Sequence, residues 1–196
     1  MIASVKYNLA NLGNFNGRDA RSTFWWYMLF LVLIQFVLGL ITQIPMYAEM
    51  FGSAIEAAQN GVDPADMNAA MAANIGDTMR TATYLGTGVT VLASALFVAS
   101  FVRRLHDSGK PGWIAILALA PVLYTAITNA LNIDELIEMT QSMMTQSDPN
   151  VAMGDQSRLY FSSILGWVGY LVTIIFGVLE SDDGPNKYGE QPVSLG

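Results

Sequence analysis

The 196-residue sequence contains no cysteine, a single histidine and few charges, with Asp, Glu, Lys and Arg together making up 13%. Without cysteine there is neither a disulfide framework nor a thiolate metal site. The charged fraction is about half of the roughly 25% usual in soluble domains, while 53% of the residues are hydrophobic. A net charge of −7 opposes the electrostatic attraction that carries nucleic-acid binding, so no nucleic-acid partner is expected.

The gaps between charges say most. No charged residue lies between Arg21 and Glu49, Arg80 and Arg103, Lys110 and Asp134, or Arg158 and Glu180. Each gap holds an apolar run near the ~20 residues that cross ~30 Å of hydrocarbon as a helix. The expected spans are about 24–44, 81–102, 113–131 and 159–179. Backbone groups in lipid need internal partners, so these spans must be helical, and four are too few to close a barrel. The expected fold is therefore all-α: a single polytopic membrane domain, a four-transmembrane-helix bundle with short interfacial helices. The first apolar run is too long for the core of a cleaved signal peptide and no small-x-small site follows it, so it reads as a retained anchor.

Basic residues set the orientation. Lys6, Arg18, Arg21, Arg103, Arg104, Lys110 and Lys187 fall on one side of such a bundle, and Arg80 and Arg158 on the other. Seven against two places loop 103–112, tail 180–196 and both termini in the cytoplasm. The opposite loops, 45–80 and 132–158, carry Glu49, Glu56, Asp63, Asp66 and Asp77, then Asp134, Glu135, Glu138, Asp148 and Asp155.

Before the first span, Ile2, Val5, Leu9 and Leu12 recur at helical spacing, as in a helix lying in the interface. Trp25, Trp26, Tyr27 and Trp113, with Tyr47, Tyr84 and Tyr160 at the opposite ends, read as aromatic belts. Asp63-Pro64 is a helix start, and 65–79 and 134–146 are expected to form short helices outside the bilayer. Methionine beside carboxylate is also the raw material of a soft-metal site. No Met-x-x-Met run with histidine supports one, so packing is the preferred role for these methionines, and neither a metal nor another cofactor is expected.

Small residues recur four apart in span two (Gly86, Thr90, Ser94) and span four (Gly169, Thr173, Gly177), as where helix backbones approach closely. These two spans are expected at the centre, and bulky span one toward lipid. The two hairpins share an order of basic lead-in, span, acidic loop with Asp-Pro, and span.

Three polar motifs converge on the basic side. They are Gly17-Arg18-Asp19-Ala20-Arg21-Ser22-Thr23-Phe24-Trp25, Arg103-Arg104-Leu105-His106-Asp107-Ser108-Gly109-Lys110-Pro111-Gly112-Trp113 and Gly184-Pro185-Asn186-Lys187-Tyr188-Gly189. In this order they resemble the DUF805 family of bacterial inner-membrane proteins, which includes the YhaH-like proteins. That family's pattern is G-R-x-x-R-x-x-F-W, then R-R-L-H-D-x-G-K-x-G-W, then a tail G-x-N-x-Y/F-G. The resemblance covers nearly the whole chain, departing at the long acidic loops and at Pro111. It implies the membrane fold and carries no assigned activity.

Read physically, the motifs admit three roles. The preferred one is a latch of ion pairs and hydrogen bonds, in which Asp19 or Asp107 pairs with arginines of the other motif, Asn186 caps a backbone group, and Gly109 and Gly112 permit the turn. The second is a site for an anionic lipid headgroup or other phosphate, built from Arg18, Arg21, Arg103, Arg104, His106, Lys110, Asn186 and Lys187. The third, catalysis by His106 with Asp107, lacks a nucleophile motif and any metal-ligand cluster. The expected function is a non-enzymatic scaffold or regulator in contact with membrane lipids. The alternative is a small transporter or channel component working as a homo-oligomer or with another membrane protein, with Gln35, Gln43, Thr128 and Asn129 lining a path.

Overall fold

The structure, a computed structural model, describes residues 1–145 and 149–195. Side chains are described throughout these except at 64–65, 149–160 and 162–163. Six helices follow in order: α1 (Ile2–Ala10), α2 (Arg21–Gln59), α3 (Pro64–Asp107), α4 (Ile114–Leu131), α5 (Ile133–Thr145) and α6 (Pro149–Val178). No strand occurs among the described residues.

Three of these, α2, 66–107 of α3, and α4, are long and apolar enough to cross a membrane. Only 17%, 28% and 17% of their most apolar windows are buried within the chain. Side chains such as Leu33, Phe36, Leu40 and Leu92 are half exposed or more, which lipid tolerates and water does not. The run expected at 159–179 lies in α6, where the apolar stretch with described side chains is the shorter Ile164–Val178.

The loop expected at 45–80 is mostly helix. At 39 and 44 residues, α2 and α3 are roughly 58 and 66 Å long, about twice the hydrocarbon thickness. Ala- and Met-containing sequence after the α2 span and before the α3 span continues each helix beyond its apolar run. The chain turns only at 60–63, where Gly61 has φ +65°. Pro45 and Pro121 sit inside α2 and α4, where each removes one backbone donor without ending its helix.

The chain divides into two compact units. One comprises 1–37, 89–124 and 164–196. Its core is Phe24, Tyr27 and Leu31 of α2, Phe97, Phe101, Val102 and Leu105 of α3, and Ile114, Ala115 and Ala118 of α4. Span one thus buries an aromatic face at its start, instead of facing lipid throughout. The other unit comprises 38–88 and 125–163, with Ala57, Ala72, Ile75, Ala82, Ile133, Ile137 and Met139 buried. There Arg80 and Asp134 form an exposed ion pair at 2.6 Å.

In the first unit the small residues of α6 make close contacts. A Cβ on Gly169 would lie 2.3 Å from the Ala118 carbonyl oxygen of α4, and one on Gly177 would lie 2.9 Å from Phe24 and Trp25 of α2. Thr173 is buried and its hydroxyl donates to the Gly169 carbonyl. The closest neighbours of this stripe are on α4 and α2, and Gly169 and Thr173 share a cleft with Thr90 and Ser94 of the α3 stripe. A Cβ on Gly86 would meet nothing within 4 Å. The spacing marks where a close approach is permitted and does not name the partner.

Candidate functional site

Arg103 and Arg104 stand at the start of the last turn of α3. Consecutive helical residues point about 100° apart, so the two guanidiniums leave the helix in different directions. Arg103 reaches toward α1. Its Nε donates to Asp19 Oδ1 at 2.9 Å, its Nη1 to the carbonyls of Asn11 and Asn14, and its Nη2 to Asn8 Oδ1 at 2.6 Å. Arg104 reaches toward α6. Its Nε donates to the Gly177 carbonyl at 3.1 Å and its Nη2 to that of Leu179. Asn11, whose carbonyl also accepts the Asn14 N–H, and Asn14 follow the end of α1, while Gly177 and Leu179 close α6, where carbonyls lack intrahelical donors. Each arginine therefore caps the C-terminal end of a different helix, where a cation is also favoured by the helix dipole.

Carboxylates hold both arginines. Asp107 Oδ2 accepts from Arg104 Nη1 at 2.6 Å and from Ser181 Oγ at 2.5 Å, while its Oδ1 pairs with Arg18 at 3.1 Å. Asp19 takes Arg103 and, on Oδ2, the Ser100 hydroxyl at 3.2 Å. Burial pushes the Asp19 carboxyl up from the usual range, while Arg103, Ser100 and Tyr7 pull it back down. Arg18 completes the set by donating to the carbonyls of Asp182, Gly184 and Gly189, which fastens the tail. Arg18 is 5% exposed, Asp19 1%, and Arg103, Arg104 and Asp107 are fully enclosed. Three arginines against two carboxylates leave one excess positive charge, balanced by the ring of carbonyl dipoles.

The remaining motif residues frame this centre. Gly109 has φ +68°, and the bonds Gly109 N–H to His106 O and Lys110 N–H to Leu105 O close α3 in a Schellman turn. A Cβ there would also lie 2.6 Å from Asp182 Oδ2. Gly112 lets the chain pass close to Val102 and the His106 ring, a Cβ there falling 2.8 and 3.2 Å from them. Asn186 Nδ2 donates to the His106 carbonyl at 2.9 Å and to Asp182 Oδ2 at 3.0 Å, capping α3 from the tail.

His106 stacks on Tyr188 with centroids 3.8 Å apart and sets Nδ1 3.2 Å from the Gly17 carbonyl. It makes no pair with Asp107, because neighbours on a helix diverge and Asp107 is taken by arginines. Arg21, Lys110 and Lys187 are exposed, the last with its Nζ 4.9 Å from the Tyr188 ring.

Several participants escaped the sequence reading. Asn8, Asn11 and Asn14 receive Arg103; their spacing of three was a visible but weak sign. Ser4 and Asn8 form the buried side of α1, while Ile2 and Leu9 are exposed. Ser181 and Asp182 carried no signal beyond their place beside the tail motif. Among the described residues, no three His, Asp or Glu side chains form a metal-ligand group.

This arrangement defines a class: an all-helical chain with helices suited to a membrane, whose terminal segments are joined by a buried ion-pair centre. The chain belongs to the DUF805 family, described as proteins of unknown function, whose profile matches residues 12–190. No curated protein and no solved structure matches it.

Proposed function

We propose that the chain is a non-enzymatic inner-membrane protein with four spans, whose cytoplasmic motifs close on one another to hold a fixed face toward the cell interior. The observation that carries this reading is the enclosure of Arg18, Arg103 and Arg104, whose guanidiniums are engaged by carboxylates and helix-end carbonyls of the same chain. A headgroup site built on these three would have to break those bonds first. Contact with anionic lipid falls instead to the exposed Arg21, Lys110 and Lys187, each adding ~1 kcal/mol of attraction near an anionic surface. The seven-to-two distribution of basic residues supports cytoplasmic termini. A scaffold or regulator needs such a rigid, lipid-anchored face and no catalytic group.

The test separates the two sets of cations. Arg104→Lys and Arg104→Ala should both lower the melting temperature in detergent and leave anionic lipid retention in native mass spectrometry unchanged. Joint replacement of Arg21, Lys110 and Lys187 by alanine should lower lipid retention and leave melting unchanged. Lipid loss in the Arg104 variants at unchanged melting would place a headgroup in the buried centre and overturn the reading.

A second reading, a path for a small uncharged solute, is supported by one feature of the first unit. A partly open cleft of about 60 Å³ is lined by Leu31, Gln35, Ser94, Tyr170 and Thr173 among others. Its lining holds no ionisable Asp, Glu, Lys, Arg or His, the usual mark of a coupled pathway. Solute flux into liposomes holding the purified chain would favour this reading; an impermeable vesicle favours the scaffold.

A further inference from the structure

Of the 11 methionines, all but Met1 and Met28 fall within 38–88 and 125–163. Within that unit two helical faces bring some of them together. On α2, Met46, Met50 and Ser53 recur at i, i+4 and i+7 with Glu49 beside them; on α3, Met71 and Ile75 stand four apart. These six residues line one narrow cleft, too tight to hold a water molecule. Met46, Glu49, Met50 and Met71 are each partly buried. The Glu49 carboxylate has no ion-pair partner among the described residues. One turn earlier on the same stripe of α2, Gln43 Oε1 is buried and accepts no hydrogen bond among the described residues.

Methionines that only packed the two helices together would account for the thioethers. They would not account for a carboxylate set among them, or for the orphan acceptor one turn away. Thioether sulfur is a soft, neutral donor that favours soft monovalent ions and holds hard dications poorly. A carboxylate at the edge supplies the opposite charge, and neither cysteine nor histidine is needed. The spacing matters as well: methionines four apart on one helix project over a single turn, and Met71 of α3 lines the same cleft. The expectation of packing rested on the absence of Met-x-x-Met with histidine, a pattern that looks within one segment, whereas this cleft draws its methionines from two helices.

We propose that this cleft binds a soft monovalent cation, Cu(I) or its analogue Ag(I), through the sulfurs of Met46, Met50 and Met71, with Glu49 as counter-charge. The probe is Ag(I), titrated into the purified full-length chain in chloride-free detergent buffer and followed by calorimetry and native mass spectrometry. One silver per chain is expected, with a rise in melting temperature as the ion binds the folded state. Replacing Met46, Met50 and Met71 together by leucine nearly conserves volume, so the metal-free melting temperature should hold while silver affinity falls roughly a hundredfold. Leucine at Met79 and Met143, outside the cleft, should leave binding intact. If the triple variant melts early, the single Met50→Leu change decides: affinity must fall at unchanged melting. Equal silver binding by wild type and the leucine variants, competition by Ca²⁺, or no stoichiometric binding at all would each overturn the proposal.

Discussion

Arg103 and Arg104 are neighbours in sequence and serve different helices, and this follows from nothing more than the 100° step of the α-helix. While Asp19 holds Arg103, Asp107 lets Arg18 and Arg104 be enclosed together, its two oxygens holding both at once. Removing that carboxylate would strand two buried cations, and breaking such pairs costs about 3–5 kcal/mol. Asp107→Asn, which keeps the shape and drops the charge, should therefore lower the melting temperature strongly. Asp134→Asn should not, because its pair with Arg80 is exposed to solvent. Thermal melts of the two variants side by side check this; equal stability of Asp107→Asn would mean that the helix-end carbonyls alone satisfy the arginines. The sequence reveals the charges and the turn glycines, and so the existence of a latch could be weighed. It does not reveal which arginine meets which carboxylate, since that depends on where α1, α6 and the tail come to rest.

Among the elements, α6 shows how far a small-residue pattern can be read. Gly169, Thr173 and Gly177 mark a face without side-chain bulk, and that face is where the helix packs closely. Its partners, Ala118 of α4 and Phe24 and Trp25 of α2, were not legible, because a groove accepts whichever ridge the chain delivers. In the same pattern of α3, a Cβ added at Gly86 would meet nothing within 4 Å. A contrast follows: Gly169→Leu should destabilise the fold by roughly 1–3 kcal/mol through overpacking, whereas Gly86→Ala should be tolerated. Detergent melts of both variants provide the measurement, and an unchanged Gly169→Leu would mean that α4 can move aside. The lengths of α2 and α3 were also hidden. Apolar runs mark where lipid is met, while Ala and Met beyond them continue a helix without any change that a charge-gap reading detects.

For the whole molecule, the return of the C-terminal tail constrains how often the chain crosses a membrane. The tail's Leu195 accepts from the Ser4 hydroxyl of α1 and donates its N–H to Thr23 Oγ1 at the start of α2. Arg18 meanwhile holds the tail carbonyls of Asp182 and Gly184. Tail and N-terminal segment therefore share one side of any membrane the chain crosses. In the proposed four-span topology α2, α3 and α4 make the first three crossings, and a further crossing by α6 returns the tail to the side of α1. The Ile164–Val178 stretch is roughly 22 Å long at 1.5 Å per residue, short of the hydrocarbon thickness unless neighbouring turns of α6 take part. Bilayer thinning accommodates such a mismatch at modest cost. The proposed four-span topology thus predicts that a reporter fused after Asn150 reads the outside and one fused at Gly196 reads the cytoplasm. A cytoplasmic signal at Asn150 would invert the orientation drawn from the basic residues. An external signal at Gly196 together with one at Asn150 would remove the fourth crossing, and with it the contact between Leu195 and Ser4.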